Sequence, residues 1–349
     1  MRKFEPLLSA KIFSNRVGET QKNLAMLRFP LACSIKYDGW RLTEYNGSSV
    51  TRSLKQVRNT HVRDTLRQFN AAARQLGHSG QDGEVLVGPP NHPNAMQNTT
   101  SGVSSEAGTP EFQFFMFDSY QYGQLGFMER QERLYPLYEQ LRGDFPWLQW
   151  VEQRIIHNLD EFLAYEAEVV AQGYEGIMAR SLNGHYKLGR STMREGILMA
   201  LKRFVDKEAL VVEYHEELEN ANPATTNLLG RTERSSHQAN LIPKGRMGTM
   251  VCRSPYFEKP FNVGGGCGVT HDFRQEIWDY PQQFQWRVTK YSYQEVGVKD
   301  RPRLTKWKGW RAWEDIDPTV AAQLLALGDA HQWSGQGHNG VTPGCRPAL

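Results

Sequence analysis

The sequence predicts an α+β protein of two domains. Three observations lead there. The chain has 349 residues, and at about 150 residues per domain that is roughly two. Up to residue 204, short apolar runs bounded by polar residues or glycine alternate with segments of helical periodicity. Beyond Glu208 strand-like segments predominate, with one short helical stretch, which suits a small β-barrel.

The elements follow in order. Leu31–Lys36, Glu84–Val87, Phe112–Phe117, Gly176–Arg180 and Leu198–Phe204 read as strands. Between them, Arg63–Leu76 ends at Gly77, Phe127–Arg142 at Gly143 and Asp160–Gln172 at Gly173, each a helix with a glycine stop. Asn158 is a candidate N-cap for the last of these. In the second half, Ala209–Tyr214, Met247–Arg253 and Gln285–Glu295 read as strands and Thr270–Trp278 as the helix. Gly88–Thr109 and Glu219–Gly245 are rich in Asn, Ser and other loop formers and read as loops. The expected boundaries are 1–204 for the first domain, 205–316 for the second, and a partly helical tail over 317–349, with a helix at Thr319–Leu327 and fraying beyond it. Arg203–Lys207 is the expected hinge.

Composition narrows the function classes. Hydrophobic residues make up 39% and charged residues 23%, enough apolar material for packed cores and against global disorder. No apolar run reaches the roughly 18 residues of a membrane span, and Met1–Phe13 lacks the pattern of a secretory signal. Cys33, Cys252, Cys267 and Cys345 are scattered without a CxxC pair, which suggests reduced thiols in a cytoplasmic setting rather than a zinc site or disulfide framework. The ten histidines show no ligand spacing. The net charge of +3 neither demands nor excludes a polyanion. Between Trp286 and Arg311, however, eight Lys and Arg stand against only Glu295 and Asp300, interleaved with Trp286, Tyr291, Tyr293, Trp307 and Trp310. Such a stretch fits either a nucleic-acid surface or a solvated antiparallel hairpin. The polar loop Arg231–His237 offers Arg231 and Arg234 as phosphate contacts.

One segment carries chemistry. In Lys36-Tyr37-Asp38-Gly39-Trp40-Arg41 a lysine closes an apolar strand directly after Ile35. Extended backbone would put Lys36 and Asp38 on one face, Gly39 permits a sharp turn, and Arg41 adds a fixed cation. A lysine nucleophile must be partly neutral, and desolvation with neighbouring cations lowers its pKa. Attack on a phosphate needs further positive charge around it. By itself the segment reads better as an ordinary surface strand and turn than as a catalytic site.

The segment resembles the nucleotidyl-lysine motif KxDGxR of ATP-dependent DNA ligases, and the resemblance continues in order along the chain. Arg52 in Thr51-Arg52-Ser53 resembles the arginine after the second strand. Asp82-Gly83-Glu84 is similar to the D/GE segment, and Phe115-Met116-Phe117-Asp118 to the strand whose aromatic, here Phe117, stacks on adenine. Arg130 and Arg133 resemble the basic helix that follows. Glu175-Gly176-Ile177-Met178-Ala179-Arg180 is similar to EGxxxK/R, and Tyr186-Lys187-Leu188-Gly189-Arg190-Ser191-Thr192 to YKxGRS/T. The phosphate-binding KxK strand is matched by Met199-Ala200-Leu201-Lys202: Lys202 stands for the second lysine, and Ala200 replaces the first. Lys187, Arg203 and Lys207 are the candidates to compensate. Lys244-Gly245-Arg246-Met247-Gly248, Phe261-Asn262-Val263-Gly264, Tyr293-Gln294-Glu295 and Lys306-Trp307-Lys308-Gly309-Trp310-Arg311 resemble segments of the ligase OB-fold.

The resemblance covers about residues 30 to 315 and suits the compact bacteriophage type. It implies a nucleotidyltransferase (ATP-grasp-like) adenylation domain followed by an OB-fold barrel. It further implies sealing of nicks in double-stranded DNA with ATP and Mg²⁺ through lysyl-AMP, by a monomer in the cytoplasm, that of a host cell if phage-encoded. The catalytic set it implies is Lys36, Asp38 and Lys202. The ATP-binding set is Ile35, Arg41, Arg52, Glu84, Phe117, Glu175, Lys202, Lys306 and Arg311, with Glu84 and Glu175 as metal ligands. The DNA contacts are Arg52, Arg190, Arg231, Arg234 and Lys308. An mRNA-capping guanylyltransferase, an RNA ligase and a catalytically weak nick-binding protein are the competing readings. NAD-dependent ligases are disfavoured by Arg41 and by the absence of a cysteine zinc finger.

Overall fold

The computed structural model describes residues 4–14, 16, 18–266 and 268–333. Contacts divide it into two compact units. One runs to Arg203 and includes Thr225–Glu233, and the other comprises Phe204–Ala224 and the chain from Arg234 on. Among the described residues no helix is long and apolar enough to cross a membrane.

The first unit is built on two five-stranded sheets. One has the spatial order Ala10–Lys11, Leu198–Leu201, Ile177–Ser181, Leu31–Ile35, Arg154–Ile156. The other has the order Ser48–Thr51, Trp40–Tyr45, Gln81–Val87, Phe112–Ser119, Leu148–Trp150. Strand alternation sorts their side chains. In the first sheet Leu31, Cys33, Ile177, Ala179, Met199 and Leu201 turn to an apolar core shared with Phe162 and Val169 of the helix Leu159–Ala171. Their alternates, among them Ser34, Met178, Arg180 and Ala200, therefore lie on the other face. In the second sheet Leu42, Val85, Phe114 and Met116 pack under the helices Thr60–Gln75 and Phe127–Leu141. Arg41, Glu84, Phe115 and Phe117 are left on the opposite face.

Caps mark the helix starts. Asn59 accepts from the Val62 amide at 2.9 Å, so the second-sheet helix begins three residues before the expected Arg63. Asn158 caps the Glu161 amide at 2.9 Å. The expected loop 88–109 contains a helix, Ala95–Ser104, which its composition hides. It forms because Ala95, Thr99 and Val103 recur every four residues and bury against the sheet, with the Thr99 hydroxyl accepting from the Val87 amide at 3.0 Å.

The second unit is a five-stranded sheet ordered Phe261–Val263, Leu241–Arg253, Val205–Asn220, Val288–Gln294, Arg303–Arg311. Its two edges approach one another: the Trp307 amide donates to Gly265 O at 2.6 Å, and the Thr305 hydroxyl to Asn262 O at 2.6 Å. The helix His271–Asp279 packs Ile277 into the same core. The basic aromatic stretch is thus an antiparallel pair whose rings pack into or against the core. Tyr291 and Tyr293 are buried in the core, Trp307 and Trp310 pack against it, and Trp286 joins an adjoining cluster. The expected loop 219–245 carries a short hairpin, Ala224–Thr226 with Thr232–Arg234, and the start of a long strand. The tail forms a helix, Pro318–Trp333. The expected fraying beyond it, with Cys267 and Cys345, lies outside the described residues.

Candidate active site

The site grows from the ends of three strands in the first sheet. Leu31–Ile35 runs antiparallel to Ile177–Ser181, which runs antiparallel to Leu198–Leu201. Lys36, Glu175 and Lys202 therefore emerge at one end. The Lys36 amide continues the ladder, donating to Gly176 O at 2.8 Å. Gly176 has φ +148°, and a Cβ there would collide with the Leu201 carbonyl, so only glycine lets these strand ends approach. Gly39 stands at the expected bend before Trp40 and has a second reason besides. A Cβ would strike the Val85 carbonyl oxygen and sit 2.9 Å from Leu86 Cγ, so its task is close approach of one strand to the next.

Glu175 is the node. Its Oε2 accepts from Lys36 Nζ and its Oε1 from Lys202 Nζ at 2.7 Å, while its side chain is only 2% exposed. Burial opposes its charge, yet the two ammonium groups prevail and hold it below the usual carboxylate range. Burial also works to neutralise Lys36, but Glu175, assisted by Glu84 and Asp38, more than offsets this and keeps its pKa raised. Lys202 goes the other way: burial, together with the Lys36 cation, outweighs Glu175 and lowers it. In this state Lys36 is an ammonium ion, and releasing Glu175 is what would let desolvation and Lys202 favour the free amine. Asp38 is buried beside it, although the strand ends at Ile35, so strand alternation is not what brings the two together.

Glu84 faces this group from the second sheet. Burial raises its pKa to about 8, opposed by Lys36 and Arg41 and reinforced by Glu175. Among the described residues no three His, Cys, Asp or Glu cluster as a metal cage. Two carboxylates nonetheless fit Mg²⁺, which favours one or two protein carboxylates completed by water and phosphate oxygens.

Other expected residues are placed differently. Ile35 is half-buried and packs its side chain against the first-sheet core. Arg41 is committed: it donates to both oxygens of Asp82, with Nε–Oδ1 at 2.8 Å, and also to Leu7 O and the Tyr186 hydroxyl. It thus pins the chain at Leu7. Phe117 is half-buried, with the Arg41 and Arg180 guanidinium carbons 5.5 and 5.4 Å from its ring centre. Arg52 is exposed in the turn after Ser48–Thr51. Arg190 and Arg231 come together, with Glu5, Lys187 and Gly189, around a cavity of about 310 Å³. Arg190 donates to Ser9 O at 2.6 Å, and Arg231 pairs with Glu5 at 2.7 Å. Arg234 donates to Asn222 O. Lys306, Lys308 and Arg311 line the last strand of the second unit, where Arg311 Nε stands 3.7 Å from Glu208.

Sequence reading gave no role to Asp118. The structure buries it completely between Arg130, with Nε–Oδ1 at 2.7 Å, and Arg180, with Nη1–Oδ2 at 2.7 Å. Of the two arginines read as a basic helix, only Arg130 turns inward; Arg133 lies over the Tyr122 ring. The signal was an acidic residue closing an otherwise apolar strand.

Residues 11–195, a little over half of the chain, match the ATP dependent DNA ligase domain. The chain belongs to the ATP-dependent DNA ligase family. A DNA ligase of African swine fever virus is 29% identical over 135 residues, which are 38% of this chain and 31% of the viral protein. The match thus spans under a third of the length of the curated relatives. A solved structure from work on Lig E DNA ligases is 21% identical, covers 88% of this chain and 99% of its own, and superposes with a TM-score of 0.61. That likeness shows the fold shared with this ligase-family chain, an adenylation domain followed by an OB-fold.

Proposed function

We propose that the chain is an ATP-dependent DNA ligase that seals nicks in duplex DNA. The observation carrying this reading is the Lys36–Glu175–Lys202 bridge at three converging strand ends, within a family whose motif lysine takes up AMP. Lys36, once freed of its proton, attacks the α-phosphate of ATP. The N–P bond forms, the bond to pyrophosphate breaks, and lysyl-AMP remains. AMP passes to the 5′-phosphate of the nick, and the 3′-hydroxyl displaces it to close the phosphodiester. Lys202 compensates negative charge on the transferring phosphate. Phe117 offers a ring face to adenine. Glu84 and Glu175 would hold Mg²⁺, which when bound supplies charge neutralisation at the phosphates. Asp38 adds to the negative field at Lys36. Lys306 and Arg311 would meet the pyrophosphate. Arg52, Arg190, Arg231, Arg234 and Lys308 would grip the DNA backbone.

Incubation with Mg²⁺ and α-labelled ATP, GTP or NAD, followed by denaturation, tests the first step. Label from ATP alone on the 40.0 kDa chain, lost in Lys36→Ala, is expected. Label from GTP would make it a capping-type enzyme. No label, with no AMP in the intact mass, would leave a nick-binding protein. Sealing of nicked DNA against nicked RNA then separates DNA from RNA ligase.

A further inference from the structure

We propose that Lys11 provides the phosphate-contacting ammonium group that Ala200 lacks. The inference rests on the ligase reading above. Leu198–Leu201 has a parallel neighbour on its open side, Ala10–Lys11, in the register Ala10 with Met199 and Lys11 with Ala200. Ala10 and Met199 both turn into the apolar core. Lys11 and Ala200 consequently share the opposite face, the one from which Lys202 reaches Glu175. Neighbouring strands lie about 4.8 Å apart and rise about 3.3 Å per residue, which puts the Lys11 Cα roughly 8 Å from that of Lys202. A lysine side chain spans most of that gap. The ammonium groups of Lys11 and Lys202 can therefore meet on one phosphate, as those of residues 200 and 202 on a single strand would.

The edge strand carrying Lys11 is fixed. Leu7 O accepts from Arg41, and the Leu7 amide donates to the Tyr186 hydroxyl at 3.3 Å. Leu8 exchanges backbone bonds of 2.9 and 2.8 Å with Gly189 and Ser191, and the Ile12 amide donates to Ala200 O at 2.9 Å. Asn23 donates to Ile12 O at 2.9 Å. The side chain of Lys11 is exposed, and among the described residues no carboxylate pairs with it. The compensators suggested by sequence are otherwise engaged. Lys187 is held by Glu195 at 2.6 Å, Arg203 by both oxygens of Glu166 at 2.7 and 2.6 Å, and Lys207 lies over the Tyr256 ring.

The phosphate is that of ATP or that of the nick, and two assays separate them: enzyme–AMP formation against ATP concentration, and sealing of a pre-adenylated nick without ATP. Lys11→Ala is expected to lower one or both by about tenfold to a hundredfold, the effect of one hydrogen bond to a charged group. Loss in the first assay assigns the ATP phosphates, and loss in the second assigns the nick. Lys11→Arg, and Ala200→Lys in the Lys11→Ala background, should restore most of it, which no structural defect at the edge strand would allow. Unchanged rates for Lys11→Ala, or a loss that neither rescue repairs, overturn the proposal while the ligase reading stands. A wild-type chain that takes no label from ATP removes both.

Discussion

Asp118→Asn is expected to be among the most damaging isosteric changes in the first unit. The Asp118 carboxylate is 0% exposed, between Arg130 at 1% and Arg180 at 6%. It accepts from Arg130 Nε at 2.7 Å and Nη2 at 3.1 Å, from Arg180 Nη1 at 2.7 Å and from the Ser119 amide at 2.8 Å. Burial already pulls the Arg180 guanidinium below its ordinary range in spite of Asp118, with Arg130 adding repulsion. Asparagine keeps the volume, removes the charge, and turns an amide donor towards guanidinium donors. Breaking a buried pair from one side costs about 3–5 kcal/mol. At about 2–4 °C per kcal/mol for a unit of this size, the melting point should fall by roughly 6–20 °C. The assay is urea and thermal unfolding followed by tryptophan fluorescence. Asp64→Asn serves as the comparison, because Asp64 meets Arg63 and Arg67 only at 3.7 and 3.6 Å on the surface, and such pairs contribute about 0–1 kcal/mol. If Asp118→Asn costs no more than Asp64→Asn, burial does not set the worth of this pair and the reasoning is wrong.

Gly39→Ala should destabilise the first unit by about 1–3 kcal/mol, because the added methyl overlaps the Val85 carbonyl; a wild-type urea midpoint would contradict this. Burial pushes the Cys33 thiol up to about 12, so its thiolate, and with it reactivity, is scarce at pH 8 and grows only as pH approaches that value. Iodoacetamide on the native protein at pH 8, followed by peptide mass analysis, should leave Cys33 unmodified and label it after unfolding. Binding to nicked duplex should weaken linearly on a log–log salt plot. Arg190→Ala and Arg231→Ala should each flatten the slope by about 0.9, one phosphate contact apiece, and an unchanged slope would remove them from the DNA surface.

The sequence exposed the motif residues through their order along the chain, each piece being weak alone: a lysine closing an apolar strand, a glycine after Asp38, a glutamate before Gly176. It exposed the longer helices because their apolar period and glycine stops are local. It hid the helix Ala95–Ser104, whose residues are weak helix formers held by burial of Ala95, Thr99 and Val103 against the sheet. It left the aromatics of the last hairpin open between a nucleic-acid surface and a hairpin, since a ring spaced for stacking on bases is also a ring spaced to face a sheet's core. It gave no sign that Asp82, Tyr186 and Leu7, far apart in the chain, engage the Arg41 guanidinium.

The order of the motifs, the α+β character and Lys36 as the candidate nucleophile were thus legible in the sequence, because motif order and apolar period are properties of the chain itself. What only tertiary structure decided is how charge is shared. Glu175 bridges two lysines 139 and 27 residues away, and so keeps Lys36 protonated in this state. Asp118 joins Arg130 to Arg180 across 12 and 62 residues. Lys11 meets Ala200 only because a parallel edge strand brings the start of the first unit beside its end. Coulomb energies follow distance in space and the dielectric around them, and neither can be read from separation along the chain.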